Sequence, residues 1–409
     1  MIRLLHSADI HLDSPLKSLA LRDAALAGRV RAATRAAFAR IVDLALAERV
    51  AAVLIAGDLF DGAERSARTA AFLTAQLDRL RATGIRVFYI KGNHDAENPI
   101  TGEVELPENV HVFDGRGGKV QLAPDLWIHG VSFAGRHAAE SLVPKLPAPV
   151  AGAVNIAMLH TSLAGAAGHD VYAPCTLAEL KAQGFDYWAL GHVHQRQVHA
   201  RDPWIVMPGM PQGRDMGEAG VKSVTLITIA DGIGVSEVPV SVVEFTRCDL
   251  DVSGLESDAD LRDALRAALG AVAEGLRSDD GIVRVTLQGA TARRWQLLRD
   301  RDVWAETASE LARETGRLWL ERLEMELAEP DGRAGAGATD ELAQLMETIA
   351  AEDAFAGMLR AELEAVLAEL PPQRRAALIP DAAAARALAA TQSRAGADWI
   401  LARMKGGAG

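Results

Sequence analysis

The chain has few cysteines and no long apolar run, and each absence excludes a class of protein. Its 409 residues include two cysteines, which cannot build a disulfide framework and lack the paired spacing of a zinc knuckle. No apolar run approaches the ~18 residues that a membrane helix needs. The carboxylates Asp9 and Asp13 come too early for a signal-peptide core to precede them. We therefore expect a cytoplasmic protein with no membrane association.

The chain also lacks a basic excess. It carries 43 Lys and Arg against 55 Asp and Glu, a formal net charge of −12, whereas nucleic-acid-binding proteins usually show a surplus of basic residues. The acidity is uneven, because residues 1–245 sum to −3 and residues 246–409 sum to −9. Most of the negative charge therefore lies in the second part of the chain.

Residues 1–242 alternate short apolar, β-branched runs with amphipathic helical patterns. This alternation predicts a layered α/β domain, and the strand-rich later part of the segment indicates a mixed sheet. The strands that carry polar clusters at their ends are predicted at 2–7, 50–57, 86–91, 155–160 and 188–191.

Three further segments follow this domain. Residues 243–329 have the pattern β-α-β-α-β, which predicts a small α+β cap domain, and the glycine-rich residues 330–339 predict a flexible linker. Residues 340–409 predict a two-helix tail, with an apolar stripe from 342 to 370 that ends at a Pro-Pro pair. Because two helices cannot bury such a stripe well, we expect the tail to dock on the same chain, a twin subunit or a partner.

Polar clusters follow the predicted strands. They are Asp9-Ile10-His11, Gly57-Asp58-Leu59-Phe60-Asp61, Gly92-Asn93-His94-Asp95, His160, and Gly191-His192-Val193-His194. Each alone could be a turn or a core histidine, but the carboxyl ends of strands in an open α/β sheet converge on one site. Together they offer about seven oxygen and nitrogen donors and no thiolate, a set that suits Mn²⁺, Fe²⁺, Mg²⁺ or Zn²⁺. Seven donors exceed the needs of one ion and would serve two ions that share a carboxylate.

The ordered set D-x-H, GDxxD, GNHD, H and GHxH resembles the calcineurin-like metallophosphoesterases. The stretches LLHSADIHLDSPL, VAAVLIAGDLFD, FYIKGNHD and WALGHVHQRQV, followed by IVMPGMPQGRD, resemble the SbcD-type DNA exonuclease branch and its YhaO-like members. The resemblance covers about residues 1–329. It implies a layered mixed-sheet α/β sandwich of that type, with the α+β cap domain and the helical C-terminal tail added.

The resemblance also implies roles for the polar clusters. One metal would be held by Asp9, His11, Asp58 and His194, and the other by Asp58, Asn93, His160 and His192. His94 resembles the catalytic histidine that stabilises or protonates the leaving group. We expect Asp95 to accept a proton from the His94 ring and fix its tautomer.

Three neighbouring residues have less defined roles. We expect Asp61 to structure its loop as a hydrogen-bond acceptor rather than to bind metal directly. Arg214 is a candidate for contact with a substrate phosphate, with a surface salt bridge as the alternative. Asp215 stands where the YhaO-like pattern has a histidine, so no role is assigned to it.

The function that the resemblance implies is two-metal phosphodiester hydrolysis. The first hypothesis is a Mn²⁺-dependent DNA exonuclease or endonuclease subunit in DNA repair that acts with an SbcC-like coiled-coil ATPase. The resemblance also implies a homodimer. The alternative is a metal-dependent phosphodiesterase or phosphatase acting on small nucleotides or phosphoproteins. Two divalent ions would bring residues 1–245 to about +1, because bound metal belongs in the electrostatic sum. The acidity of the remaining residues indicates that a partner supplies part of the contact with DNA.

Overall fold

The computed structural model describes residues 1–14, 24–61, 66–97, 105–135, 138–163, 172–330, 338–370, 375, 379 and 381–405. The chain divides into two compact units. The first is Met1–Thr246 with Gly275–Ile282, and the second is Arg247–Glu274 with Val283–Gly409. Within the described ranges, no helix combines the length and the apolar character needed to cross a membrane.

The first unit contains two six-stranded sheets and the helices that cover them. Its strands in chain order are β1 (Ile2–Ser7), β2 (Ala52–Ala56), β3 (Arg86–Ile90), β4 (Val110–Val112), β5 (Gly118–Ala123), β6 (Leu126–Gly130), β7 (Val154–His160), β8 (Tyr187–Gly191), β9 (Gln197–Arg201), β10 (Trp204–Met207), β11 (Ser223–Ile229) and β12 (Ile233–Pro239). The helices in its described residues are α1 (Ala24–Ala47), α2 (Ala67–Arg81) and α3 (Leu177–Ala182).

Both sheets are mixed. The first has the order β12-β11-β1-β2-β3-β4, and the second has the order β5-β6-β7-β8-β10-β9. In the first sheet β1 to β4 run parallel, while β11 pairs antiparallel with both β1 and β12. In the second sheet β6, β7, β8 and β10 run parallel, while the edge strands β5 and β9 are antiparallel. Parallel neighbours bring the ends of β1, β2 and β3, and of β7 and β8, to common edges.

The alternation of side chains along each strand builds a layered core. Leu4 of β1 belongs to a fully buried cluster that unites residues of both sheets, including Phe88 of β3 and Met158 of β7. Its neighbour Leu5 points to the opposite face and joins a second cluster with Phe38 of α1. A third cluster covers the outer face of the second sheet. Burial of one such side chain contributes about 1.5–3 kcal/mol, so both faces of each sheet resist displacement of the strands.

The predicted layered, mixed-sheet α/β fold with a helical C-terminal region is confirmed. Strand β1 has the predicted bounds, and the other four predicted strands agree within two residues. Strand β2 ends at Ala56 rather than residue 57, because Gly57 adopts a φ of 95° that leaves the extended region.

Residues 243–328 contain the predicted β-α-β-α-β order, with the second helical stretch divided in two. The elements are β13 (Val243–Asp251), α4 (Asp258–Gly275), β14 (Asp280–Ala290), α5 (Arg294–Arg299), α6 (Arg301–Glu314) and β15 (Leu318–Ala328). The strands form a three-stranded sheet in the order β13-β14-β15. On one face of α4, Leu261, Leu265 and Leu269 are buried at the spacing expected of an amphipathic helix.

The described part of the tail contains three helices, α7 (Ala338–Ala350), α8 (Asp353–Ala368) and α9 (Ala382–Lys405). The expected single helix over 342–370 is wrong, because Glu352 takes an extended backbone (φ −77°, ψ 133°) and starts a new helix. Most of the predicted linker, 331–337, and the Pro-Pro pair lie outside the described residues.

Within the second unit, the tail docks on its own chain. Asp398 of α9 receives a hydrogen bond of 2.8 Å from Arg294 of α5, and Lys405 at the end of α9 pairs with Asp340 of α7. None of the described side chains of α7 and α8, which carry the predicted apolar stripe, is buried, so what covers the stripe stays a prediction. Apolar side chains of α9 are exposed as well, Trp399 to 57%.

Candidate metal centre

All five polar clusters lie at the carboxyl ends of β1, β2, β3, β7 and β8. The loops after β1 and β2 continue the parallel pairing of the strands for several residues. The backbone N–H of Asp9 donates to the carbonyl of Gly57 at 3.0 Å, and that of His11 donates to Asp58 at 3.0 Å. The sheet therefore fixes the relative position of these two loops.

Four of the predicted metal ligands have left-handed backbone conformations. The φ angles are 52° at Asp9, 46° at His11, 52° at Asp58 and 105° at His192. Such conformations cost about 1–3 kcal/mol for a residue with a Cβ atom and persist where the surrounding structure enforces them. Their concentration on these four residues indicates that the fold retains strain in order to aim these side chains at one place.

Two positions at this site require glycine, because predicted metal ligands lie too close to the backbone there for a Cβ atom. Gly57 has a φ of 95°, and a Cβ atom there would lie 2.3 Å from Nδ1 of His160. A Cβ atom on Gly92 would lie 2.2 Å from Oδ1 of Asp58. Side chains at these two positions would displace two of the predicted ligands, which adds a packing reason to the turn propensity that the sequence shows.

The donor atoms form three overlapping groups, within each of which they lie no more than 4.8 Å apart. The groups are Asp9, His11 and His194; His11, Asp58 and His94; and Asp58, His160 and His192. Because His11 and Asp58 each belong to two groups, the three form one continuous cluster. Asn93 joins it, with its side-chain oxygen 3.1 Å from Nε2 of His160 and 3.3 Å from Nδ1 of His192. The structure thus brings together all seven predicted ligands.

The donor set around His160 fits a cation. Its Nδ1 lies 2.9 Å from the carbonyl of Ala56, which only accepts, so Nδ1 carries the proton and Nε2 presents its lone pair. That lone pair faces two further acceptors, Oδ1 of Asn93 at 3.1 Å and Oδ2 of Asp58 at 3.4 Å. Three acceptor atoms that converge in a buried place need a positive charge among them.

The pKa values of His160 and Asp58 also indicate that positive charge is favoured at this site. Burial disfavours the imidazolium form, yet the charge of Asp58 raises the pKa of His160 to about 9. Burial likewise opposes ionisation of Asp58, but the neighbouring His160 holds the pKa of Asp58 below its usual range. A divalent ion would replace the proton at His160, as the neutral imidazole ligand of a metal requires.

The first group presents two imidazole nitrogens to each other. Nε2 of His11 and Nε2 of His194 lie 3.2 Å apart, and the carboxylate of Asp9 completes the group. Both oxygens of Asp9 accept the backbone N–H of His192 at 3.0 Å, which fixes the orientation of the carboxylate. Nitrogen and carboxylate donors of this kind suit first-row divalent metals.

His94 lies at the exposed side of the cluster, and the expected role of Asp95 beside it needs correction. Nδ1 of His94 lies 3.6 Å from Oδ1 of Asp61, which also lies 3.5 Å from Nδ1 of His11. The two oxygens of Asp95 instead accept the backbone N–H groups of Phe60, at 2.9 Å, and Gly92, at 3.0 Å. Asp95 therefore ties two ligand loops together, and Asp61 is the carboxylate that faces the His94 ring.

Arg214 forms an ion pair, which was the predicted alternative to contact with a substrate phosphate. Its Nη2 donates to Oε1 of Glu218 at 2.8 Å and its Nε to Oε2 at 3.2 Å, while Nη1 lies 3.3 Å from the hydroxyl of Ser14. Asp215 has a local role, because its carboxylate accepts the backbone N–H of Gly217 at 2.8 Å and begins a short 3₁₀ turn.

Glu218 is the residue at this site that the sequence did not reveal. Its Oε1 lies 2.7 Å from Nδ1 of His194. The four-residue spacing from Arg214 could have suggested the ion pair, but nothing in the sequence suggested a contact with His194, 24 residues earlier.

Comparison with known proteins agrees with this geometry. Residues 2–196 match the family described as calcineurin-like phosphoesterase, and residues 245–328 match the middle domain of metallophosphoesterase YhaO. The uncharacterized metallophosphoesterase YhaO of Bacillus subtilis is 37% identical over 239 residues, 56% of this chain and 57% of that protein. The DNA double-strand break repair protein Mre11 of Saccharolobus solfataricus is 25% identical over 216 residues, 51% of this chain and 53% of that protein.

Among solved structures, the crystal structure of a dimetal phosphatase from Danio rerio matches with a TM-score of 0.36 and 13% identity. The match covers 59% of this chain and 98% of that one. The matches to the two relatives above extend over little more than half the length of each.

The fold and the cluster of His, Asp and Asn donors agree with the match of residues 2–196 to the calcineurin-like phosphoesterase family. Residues 2–196 are a calcineurin-like phosphoesterase domain, and the chain is homologous to YhaO and to Mre11-type proteins. The described residues of this domain carry the candidate His and Asp metal-binding groups.

Proposed function

We propose that this chain is a Mn²⁺-dependent nuclease that hydrolyses phosphodiester bonds in DNA during repair. The observation that carries the proposal is the continuous cluster of seven donors, five of them buried, with one histidine, His94, at its exposed side. The similarity to proteins named for DNA double-strand break repair supports DNA as the substrate.

Each donor has a part in holding metal. Asp9, His11 and His194 would bind one ion, and Asn93, His160 and His192 would bind the other, with Asp58 shared between them. A pair of divalent ions supplies charge for the phosphate oxygens and lowers the pKa of water to near neutrality. A donor set of oxygen and imidazole without thiolate is compatible with Mn²⁺.

His94 has the position of an acid–base group. Its side chain is 35% exposed, whereas those of His11, Asp58 and His160 are 2% exposed or less. Burial lowers the pKa of His94, although the charge of Asp58 opposes this shift. With Nδ1 facing Asp61, Nε2 is the atom that can stabilise or protonate a leaving oxygen when the ring carries both protons.

The backbone of His94 is hydrogen-bonded to a predicted metal ligand. Its N–H donates to Oδ1 of Asp58 at 2.9 Å, so the acid–base group is attached to the residue that the two metal positions would share. This bond would limit how far the His94 ring can move relative to a substrate phosphate at the proposed metal positions. A positioned acid–base histidine contributes on the order of 10²–10⁴ in rate.

The proposed substrate can be tested with a panel. The purified full-length protein, loaded with Mn²⁺, is offered linear duplex DNA, single-stranded DNA, cyclic and linear nucleotides, a phosphomonoester and a phosphoprotein. We expect cleavage of DNA that stops when EDTA is added. Turnover of monoesters alone would contradict the nuclease function and favour a phosphatase of small nucleotides or phosphoproteins.

A variant links the activity to this site. His94→Ala is expected to retain Mn²⁺, and its turnover should fall by a factor of about 10²–10⁴, the contribution of a positioned acid–base group. His199→Ala, on the edge strand β9, is the matched control and should keep wild-type turnover. Full activity of His94→Ala with verified metal content would exclude His94 from the mechanism.

An SbcC-like coiled-coil ATPase and a second copy of this chain are the partners that we propose. The net charge of −12 supports a partner, because phosphate contacts by basic residues supply much of the affinity of DNA-binding proteins. Co-purification of the full chain with a coiled-coil ATPase encoded beside it would support the first. Sedimentation of the purified chain would test the second, and a strictly monomeric species would contradict it.

A further inference from the structure

Glu218 and His194 form a close contact between a carboxylate and a predicted metal ligand. Oε1 of Glu218 lies 2.7 Å from Nδ1 of His194, and the two side chains are 14% and 26% exposed. The opposite ring atom, Nε2, lies 3.2 Å from Nε2 of His11 inside the first donor group. One edge of the ring therefore meets the carboxylate, and the other edge meets the candidate metal position.

The surroundings of Nδ1 determine where the ring carries its proton. Nη2 of Arg214 also lies near, at 3.2 Å, but Nδ1 cannot both accept from Arg214 and donate to Glu218. The contact with Glu218 is shorter, and Nη2 already donates to the same carboxylate at 2.8 Å. A proton on Nδ1 satisfies Glu218, whereas a lone pair there would face the carboxylate oxygen. The ring therefore exposes a lone pair at Nε2.

The loop after β10 holds Glu218 in place. Its backbone is tied to the loop of His194, because the N–H of Met210 donates to the carbonyl of His194 at 3.1 Å. The buried side chain of Gln212 bonds the carbonyl of Val243 at 2.7 Å and accepts the N–H of the same residue at 3.2 Å. Backbone contacts of this kind leave little freedom to the 3₁₀ turn at Met216–Glu218.

Arg214 balances the charge of this carboxylate. It makes two side-chain hydrogen bonds to Glu218, and its backbone N–H donates a third at 2.8 Å. These three hydrogen bonds compensate the charge of the carboxylate, whose side chain is only 14% exposed.

From this arrangement we propose that Glu218 is a positioning residue, whose carboxylate fixes the Nδ1–H tautomer and the ring orientation of His194 so that Nε2 can bind a divalent ion. Arg214 serves this role by bracing Glu218, rather than by contacting substrate phosphate. The inference rests on the proposed metal-dependent function. Carboxylates that hold metal-binding histidines in this way typically affect metal affinity by about 10–100-fold.

Titration of the metal-free full-length protein with Mn²⁺ alone, followed by calorimetry, tests the proposal. In Glu218→Ala we expect one of the two sites to weaken by about 10–100-fold and the other to stay unchanged, because His194 belongs to one donor group. Glu218→Gln keeps an acceptor oxygen and should lose less. Glu48→Gln is the matched control, since Glu48 also pairs with an arginine, Arg3, at 2.6 Å but lies outside the cluster.

A second measurement reads the tautomer without metal. Long-range ¹H–¹⁵N correlation spectra of the histidine rings, with the His194 signals identified by their loss in His194→Ala, should show the proton on Nδ1 in the wild type. The proton should move at least partly to Nε2 in Glu218→Ala. Thermal unfolding of the same metal-free variants verifies that each is folded.

The outcomes separate the two proposals. A wild-type protein that binds no Mn²⁺ would contradict the proposed function. A wild-type protein that binds two Mn²⁺ ions, beside a folded Glu218→Ala variant with the same two affinities, would overturn the role of Glu218 alone. An unchanged His194 tautomer in that variant would overturn it as well.

Discussion

Gly92→Ala adds a single methyl group next to the carboxylate shared by two donor groups. The Cβ atom of the new alanine would lie 2.2 Å from Oδ1 and 2.8 Å from Cγ of Asp58, closer than real Cβ contacts allow. Relief requires a movement of about 1 Å, and a misplacement of that size at a catalytic group can cost about 10²-fold in rate. The same Oδ1 accepts the N–H of His94 at 2.9 Å, so this bond should lengthen too.

The assay measures Mn²⁺ affinity by calorimetry and DNA cleavage at saturating Mn²⁺. We expect at least a tenfold weaker affinity and roughly a hundredfold lower turnover in Gly92→Ala. Crowding of this kind also costs about 1–3 kcal/mol of stability, so urea unfolding accompanies both measurements.

Gly28→Ala is the control, because Gly28 lies in helix α1 and a Cβ atom there would meet nothing within 4 Å. This variant should bind Mn²⁺ and cleave DNA like the wild type. Wild-type affinity and turnover in a folded Gly92→Ala variant would refute the reasoning, since Asp58 would then not lie against Gly92 as the structure has it.

Two further predictions concern stability. Burial lowers the pKa of His6 from 6.5 to about 3, so the unfolded chain binds a proton below pH 6.5 that the folded chain excludes. The unfolding free energy of the metal-free protein should therefore fall as the pH drops from 6.5 towards 3, with a His6 contribution of about 1.4 kcal/mol per pH unit that His6→Gln removes. Arg214→Met breaks charge-assisted hydrogen bonds to Glu218 and should lower the unfolding free energy by about 1.5–3 kcal/mol, as measured by urea unfolding.

Each of these two predictions has a clear contradiction. An identical pH slope in the wild type and His6→Gln would show that His6 does not exclude the proton, whatever the absolute stabilities. For Arg214, the comparison is Arg116→Met, which breaks an ion pair whose arginine side chain is 91% exposed and should cost little. Equal stability of the two variants would show that water screens the Arg214–Glu218 pair.

The fold was predictable where local pattern and long-range packing agree. Runs such as residues 52–56 are apolar on both faces because both faces of the sheet are covered, and such runs are readily recognised as buried strands. The break within the tail was not predictable, because residues 350–353 contain neither glycine nor proline and Glu352 gives no strong stop signal.

The candidate site was predictable in its ligands and less so in its supporting contacts. Ligands follow strands, so their convergence can be derived from topology. The role of Asp95 was mispredicted from its position next to His94 in the sequence, because consecutive side chains project in different directions. Asp95 accepts hydrogen bonds from the backbone of its own loop and of the loop after β2, and Asp61 is the carboxylate that faces His94. Glu218 reaches His194 through the path of the β10 loop, which no local pattern encodes.

Anomalous diffraction from crystals grown with Mn²⁺ is the most direct test of the account. We predict two manganese peaks in each chain. One peak should lie among Asp9, His11 and His194, and the other among Asp58, His160 and His192. Diffraction from well-ordered crystals with no peak among these residues, or with manganese bound only elsewhere, would contradict the account.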